Sequence, residues 1–143
     1  MRMLGLDLGS KTLGIAISDA LGMMAHGVET FTFKTNHYKH AIDYIAAFIG
    51  KENISTIVLG HPLNMDGTEG ERADRSRRFA KKVEAATGVK VVLWDERLTT
   101  MQAERILIDG GVCRENRKKY ADKLAATIIL QSYLENRLTT EEV

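Results

Sequence analysis

The sequence predicts an α/β fold: a five-stranded mixed sheet, built as an antiparallel three-strand meander extended by parallel βαβ units and flanked by helices. Two features of the hydrophobic pattern predict it. Three short apolar runs crowd into the first 33 residues with only turn residues between them, and from residue 37 onward helical and strand periodicities alternate. Residues 3–9 and 13–18 are separated by so short a turn that they form a hairpin, and a third strand at 28–33 follows the loop at 22–27. Residues 37–49 set Tyr38, Ala41, Ile42, Ile45, Ala46 and Ile49 on one helical stripe, with Gly50 as the stop. Residues 56–60 read as a buried strand, 71–87 as a basic amphipathic helix and 89–94 as another buried strand. Thr99 and Gln102 have the spacing of a capping box, which opens a short helix ending at Gly110-Gly111. A last helix is expected from about Tyr120 to Arg137. The order is βββαβαβαα, without repeats or low-complexity tracts.

At 143 residues and 44% hydrophobic content, the chain has the size and apolar content of one domain, residues 1–143, with a real core. No apolar run approaches the roughly 18 residues of a membrane span, and Met1-Arg2-Met3 leads into a strand rather than a signal peptide. A single cysteine, Cys113, excludes a disulfide framework and a multi-cysteine zinc site. These features predict a cytoplasmic protein without membrane contact. The net charge of +1 is uninformative as a total, but 11 of the 20 Lys and Arg residues fall within 72–82 and 114–123. Such clustering suits a polyanionic partner.

The chemistry is carried by acids. Asp7 interrupts an apolar strand, Leu6-Asp7-Leu8, where desolvating a carboxylate costs several kcal/mol unless a cation or hydrogen-bond donors meet it. Ligands in such sheets gather beyond the carboxyl ends of the parallel strands, which selects Gly60-His61-Pro62 and Asp95-Glu96-Arg97. Adjacent Asp95 and Glu96 point to opposite sides of an extended backbone, and Glu96 is the one assigned to the site, with Asp95 left as a turn cap or supporting group. Asp122 shares a helical face with Ala125, Ala126 and Ile129, so it faces inward toward Asp7. Three acids brought together need cations between them. Hard oxygen donors select Mg²⁺ or Mn²⁺ over zinc, and a pair of such ions suits phosphodiester hydrolysis. Gly9, Gly14 and Gly60 are expected to let backbone approach a phosphate. Lys11, Arg72, Arg97, Arg117, Lys118 and Lys119 are expected to hold the substrate backbone.

The blocks Leu6-Asp7-Leu8-Gly9-Ser10-Lys11-Thr12-Leu13-Gly14, Leu59 to Thr68, Trp94-Asp95-Glu96-Arg97-Leu98-Thr99-Thr100 and Asp122-Lys123-Leu124-Ala125-Ala126 together resemble the YqgF (RuvX) family over essentially the whole chain. The resemblance implies a ribonuclease H-like fold related to the RuvC resolvases. It also implies catalytic, metal-holding roles for Asp7, Glu96 and Asp122. Members are described both as Holliday-junction resolvases and as nucleases that process the 5′ end of precursor 16S ribosomal RNA. One departure matters: the resolvases draw a catalytic acid from the fourth strand, which here ends in Gly60-His61-Pro62, so the acid must come from Asp95-Glu96.

These readings converge on a metal-dependent nuclease; the alternative of an actin-like phosphate-binding protein needs two lobes, and 143 residues supply one. The expected substrate is precursor 16S RNA, with branched DNA as the alternative and ribosomal particles as a further partner. A binding module that assembles ribosomes without cutting is the third reading, disfavoured because its acids would oppose phosphate. No strong dimer seam stands out, which is consistent with a monomer or weak homodimer.

Overall fold

The computed structural model describes residues 1–95 and the helix at 114–141, with side-chain detail for 1–95 and 122–137. Five strands are present: β1 (Arg2–Leu8), β2 (Thr12–Ser18), β3 (Ala25–Thr32), β4 (Ile54–His61) and β5 (Lys90–Asp95). Three helices accompany them: α1 (Tyr38–Lys51), α2 (Glu71–Thr87) and α3 (Arg114–Glu141). The expected helix near 99–110 lies outside the described residues.

The sheet order is β3-β2-β1-β4-β5. β1, β2 and β3 pair antiparallel in sequence, whereas β4 pairs parallel with β1, and β5 parallel with β4. The meander-plus-βαβ architecture thus stands as the pattern predicted. Beyond shifts of one or two residues at strand ends, three boundaries stand out. β3 begins at Ala25 rather than residue 28, because Ile17 and Ser18 extend the ladder to His26 and Ala25 past an irregularity at Ile15/Ala16. α1 runs through Gly50 to Lys51, so Gly50 does not stop it; the helix ends at Glu52 in extended conformation. α3 begins six residues earlier than Tyr120.

Strand alternation divides the core in two. Leu4, Leu6 and Leu8 of β1 join Leu13, Ile15, Ile57 and Leu59 on the face covered by α1 and α2, with Ile45, Phe79 and Val83. Met3, Ala16 and Val58 face the other way, against Ala126, Ile129, Leu130 and Leu134 of α3. β1 is central and covered on both sides, which explains its unbroken apolar character. A three-layer arrangement results, with α1 and α2 on one side of the sheet and α3 on the other.

Among the described residues, no helix is long and apolar enough to cross a membrane.

Candidate active site

Asp7 is placed by the hairpin register. The turn closes through the Gly9 N–H, which donates to the Thr12 carbonyl at 2.8 Å, and this sets Leu8 opposite Leu13 and Asp7 opposite Gly14. Residues directly opposite in an antiparallel pair share a face. Asp7 has the parity of Met3 and Gly5, so its side chain lies on the α3 side while Leu6 and Leu8 point away from it. It is half-buried.

Asp122 arrives at the same place from α3. A Cβ built on Gly14 would stand 2.0 Å from the Asp122 carbonyl oxygen and 2.4 Å from its carbonyl carbon. Only a residue without a side chain fits there. One at Gly5 would stand 2.7 Å from Leu130 Cβ and 2.9 Å from the Ala126 carbonyl oxygen, so α3 lies directly on the bare backbone of β1 and β2. Asp7, Gly14 and Asp122 therefore form one stack at the carboxyl end of β1. Ala125, Ala126 and Ile129 are buried beneath it, on the inward face expected for them.

This geometry changes the reading of Gly14. Its open space is filled by the α3 backbone, not kept for phosphate. At Gly9, a Cβ would stand 2.7 Å from Thr12 Oγ1, so that glycine serves the tight turn. Gly60 pairs with Trp94 and shares the parity of Val58, which puts it on the face of Asp7.

The end of β5 separates the two candidate acids. Val91 and Leu93 pack on the α1/α2 side, and Trp94 packs on the α3 side against Tyr133, ring centroids 5.4 Å apart. Asp95, still within β5 and paired with His61, takes the parity of Leu93. It is thus directed to the face opposite Asp7. Glu96 and Arg97 lie outside the described residues.

Cations surround this end unevenly. Lys11 is exposed in the β1–β2 turn, and Arg72 is exposed in the first turn of α2, which starts where β4 delivers its carboxyl end. Neither makes an ion pair among the described residues. Arg77, by contrast, donates to Glu69 Oε1 at 3.0 Å and also to Asp74, while Arg78 Nε lies 3.1 Å from Asp74 Oδ2. The Glu69 hydrogen bond, foremost, holds the Arg77 guanidinium above its ordinary pKa. His61 stands on the α1/α2 face with Nε2 3.6 Å from the same Glu69 oxygen. Arg117, Lys118 and Lys119 lie within the first two turns of α3, and their side chains fall outside the described set.

The glycine-rich stretch after β4 is a hydrogen-bonded turn. The Asn64 N–H donates to the Thr68 carbonyl at 2.9 Å, the Thr68 N–H to Asp66 Oδ1 at 2.9 Å, and Gly67 takes φ +87°.

A donor set of aspartate carboxylates fits a hard divalent cation. Among the described residues no group of three or more His, Cys, Asp or Glu is placed to hold a metal.

Comparison with known proteins identifies the family and the fold. The family model RuvX, described as Holliday junction resolvase, matches residues 1–136. The chain belongs to the RuvX family. A RuvX relative from Geobacillus sp. (strain WCH70), named "Putative pre-16S rRNA nuclease", is 50% identical over 137 residues, covering 96% of this chain and 99% of that protein. One of the same name from Bacillus subtilis (strain 168) is 50% identical over 136 residues, covering 95% and 99%. Among solved structures, Thermus thermophilus RuvC in complex with a Holliday junction substrate matches with a TM-score of 0.57 at 15% identity over 98% of both chains. A Fowlpox virus resolvase–junction complex matches with a TM-score of 0.59 at 16% identity, over 96% of this chain and 99% of that one. The RuvX chain thus has the ribonuclease H-like fold. Nucleases and resolvases of that fold generally use divalent metals.

Sequence reasoning singled out Asp7, Gly14 and Asp122, but gave Gly14 to a phosphate rather than to the close approach of α3. The signal was present: a turn at 9–12 forces Asp7 opposite Gly14.

Proposed function

We propose that this protein is a metal-dependent nuclease that hydrolyses phosphodiester bonds, with the 5′ end of precursor 16S ribosomal RNA as its substrate. The observation that carries the proposal is the stack of Asp7, Gly14 and Asp122, which brings two aspartates from distant parts of the chain to one end and one face of the sheet. Carboxylates that share one site call for a cation between them. The names of relatives 50% identical over nearly the full chain support the RNA substrate.

Asp7, Glu96 and Asp122 are the acids we assign to two Mg²⁺ or Mn²⁺ ions. Because Asp95 is directed to the opposite face, Glu96 is the member of that pair left for the site. The ions supply, when bound, a water of lowered pKa and stabilisation for the departing 3′ oxygen. The chain's own part is to present its carboxylates on one face and to keep cations around them. Lys11 and Arg72 are exposed for backbone contact, and Arg97, Arg117, Lys118 and Lys119 are assigned the same role. Such contacts give affinity and position without reading sequence. Precursor RNA brings ribosomal particles with it as partners.

The description of the family favours a second substrate, a four-way DNA junction. One experiment separates them: wild-type and Asp7→Asn protein incubated with labelled precursor 16S 5′-leader RNA and a four-way junction, in Mg²⁺, Mn²⁺ and chelator. Metal-dependent cutting of the RNA alone, abolished in Asp7→Asn while RNA binding persists, is expected. Symmetric cutting of the junction would transfer the assignment to a resolvase, and retained cleavage by Asp7→Asn would remove Asp7 from the chemistry. Binding without cutting in any metal would leave a binding module.

A further inference from the structure

A cleft between α1 and α2 opens on the side of the sheet away from Asp7. α2 follows the carboxyl end of β4, and α1 follows β3, whose last residue Thr32 pairs with Thr12 beside the β1–β2 turn, so the first turns of both helices lie at the same end of the molecule as Asp7. Tyr38, Arg75, Arg78, Phe79 and Lys82 line the cleft, whose volume is about 60 Å³. Small-molecule sites take roughly 300–1,000 Å³, so the occupant here is a single group rather than a whole ligand.

The lining identifies that group by charge. Arg75, Arg78 and Lys82 recur at i, i+3 and i+7 and so share one stripe of α2. Arg75 holds its guanidinium 5.9 Å from the centroid of the Tyr38 ring, and its Nε is buried without a hydrogen-bond acceptor. A buried N–H left unpaired costs free energy, and a charged donor costs more. Arg78 is partly neutralised by Asp74, but Lys82 is exposed and makes no ion pair among the described residues. Among the described residues no acidic side chain lines the cleft. An oxyanion is the acceptor that Arg75 lacks.

Arg72 continues the same stripe one turn toward the active end. From Arg72 to Lys82 the stripe covers about 15 Å at 1.5 Å per residue. We infer that the α1–α2 cleft is a backbone-phosphate subsite for the nucleic-acid strand, holding a segment that has crossed the end of the sheet from the acids. The inference rests on the nucleic-acid reading of the site and extends it to a second face. Arg75 and Arg78 enclose one phosphate, and Arg72 and Lys82 track the strand on either side.

The test reads binding, not cleavage. In the Asp7→Asn background, affinity for a labelled single-stranded RNA is measured by fluorescence anisotropy across a salt series. An Arg75→Gln/Arg78→Gln/Lys82→Gln variant is compared with Lys82→Gln alone and with a Lys51→Gln/Lys90→Gln variant. The last removes charge at the opposite end of the sheet. Each phosphate contact contributes about 0.7 to the slope of log K against log salt for single strands. The triple variant should therefore lose about 2 from the slope and up to roughly 100-fold in affinity at 0.1 M salt. Lys82→Gln alone should lose about 0.7 and roughly 5-fold, and it decides the matter if the triple variant fails to fold. The distal variant should leave the slope in place. An unchanged slope in folded cleft variants, or an equal loss per charge in the distal variant, overturns the cleft while leaving the nuclease intact. Absence of RNA binding by the parent overturns the nucleic-acid reading itself.

Discussion

Gly14→Ala tests whether the helix approach at Asp122 makes the site. The new Cβ would stand 2.0 Å from the Asp122 carbonyl oxygen, whereas real Cβ contacts essentially never fall under 3.0 Å. Relief requires α3 to withdraw by about 1 Å at Asp122, since the obstacle is backbone and cannot rotate away. A misplacement of that size costs roughly 100-fold in rate even when all reacting groups are present. Overpacking adds about 1–3 kcal/mol of destabilisation. Gly5→Ala supplies the control, because its Cβ would meet Leu130 Cβ at 2.7 Å and the Ala126 carbonyl at 2.9 Å, one to two turns along α3 from Asp122. Its relief needs only a few tenths of an ångström. Single-turnover cleavage at saturating enzyme, with thermal melts alongside, should show both variants destabilised and Gly14→Ala losing far more rate per folded molecule. Equal rates in the two variants at equal stability would refute the claim that α3 positions Asp122 through Gly14.

Two further outcomes check how the frame is held. Asp19 Oδ1 accepts the Met23 N–H at 2.8 Å and the Met24 N–H at 3.4 Å, and the Met23 bond, first among the causes, holds the carboxyl below its ordinary pKa. A folded-state pKa lowered in this way contributes stability that is present above the unfolded value and lost as pH falls through the folded one. The stability gap between wild type and Asp19→Ala should therefore be full at neutral pH and close in acid; a gap independent of pH in urea melts would refute it. Gly88 ends α2 in the left-handed conformation at φ +73°, with its N–H donating to the Glu84 carbonyl at 2.8 Å and open space around it. Gly88→Ala should cost about 1 kcal/mol of stability and no cleavage activity, and lost activity would show that this cap couples to the site.

The fold was legible because its two periodicities are clean. Leu4, Leu6 and Leu8 alternate with Met3 and Gly5, and the stripe of Ala41 and Ile45 recurs at helical spacing, so each element announces both its type and its buried face. Strand ends were less legible because pairing, not composition, sets them. His26 and Gly27 carry no apolar signal, yet β2 supplies a ladder partner for both. Gly50 reads as a helix stop in isolation, but α1 continues through it for one more residue.

The candidate site's acids can be picked out along the sequence, whereas the roles of its cations cannot. A carboxylate inside an apolar strand is costly enough to be conspicuous, and the inward stripe of Asp122, Ala125, Ala126 and Ile129 can be counted along the chain. A run of arginines announces no such division of labour. Arg72, Arg75, Arg77 and Arg78 look alike in sequence, but Arg77 and Arg78 are engaged by Glu69 and Asp74, Arg75 rests over Tyr38, and Arg72 is exposed at the active end. Glu69 and Tyr38 come from a loop and from another helix, so the distinction exists only after folding. The same holds for Asp95 and Glu96. Their adjacency says that they diverge, but only the packing of Leu93 on one side and Trp94 on the other says which direction leads to Asp7. If that parity governs the site, the acid directed with Leu93 is dispensable for cleavage, and the metal set must be completed from beyond β5.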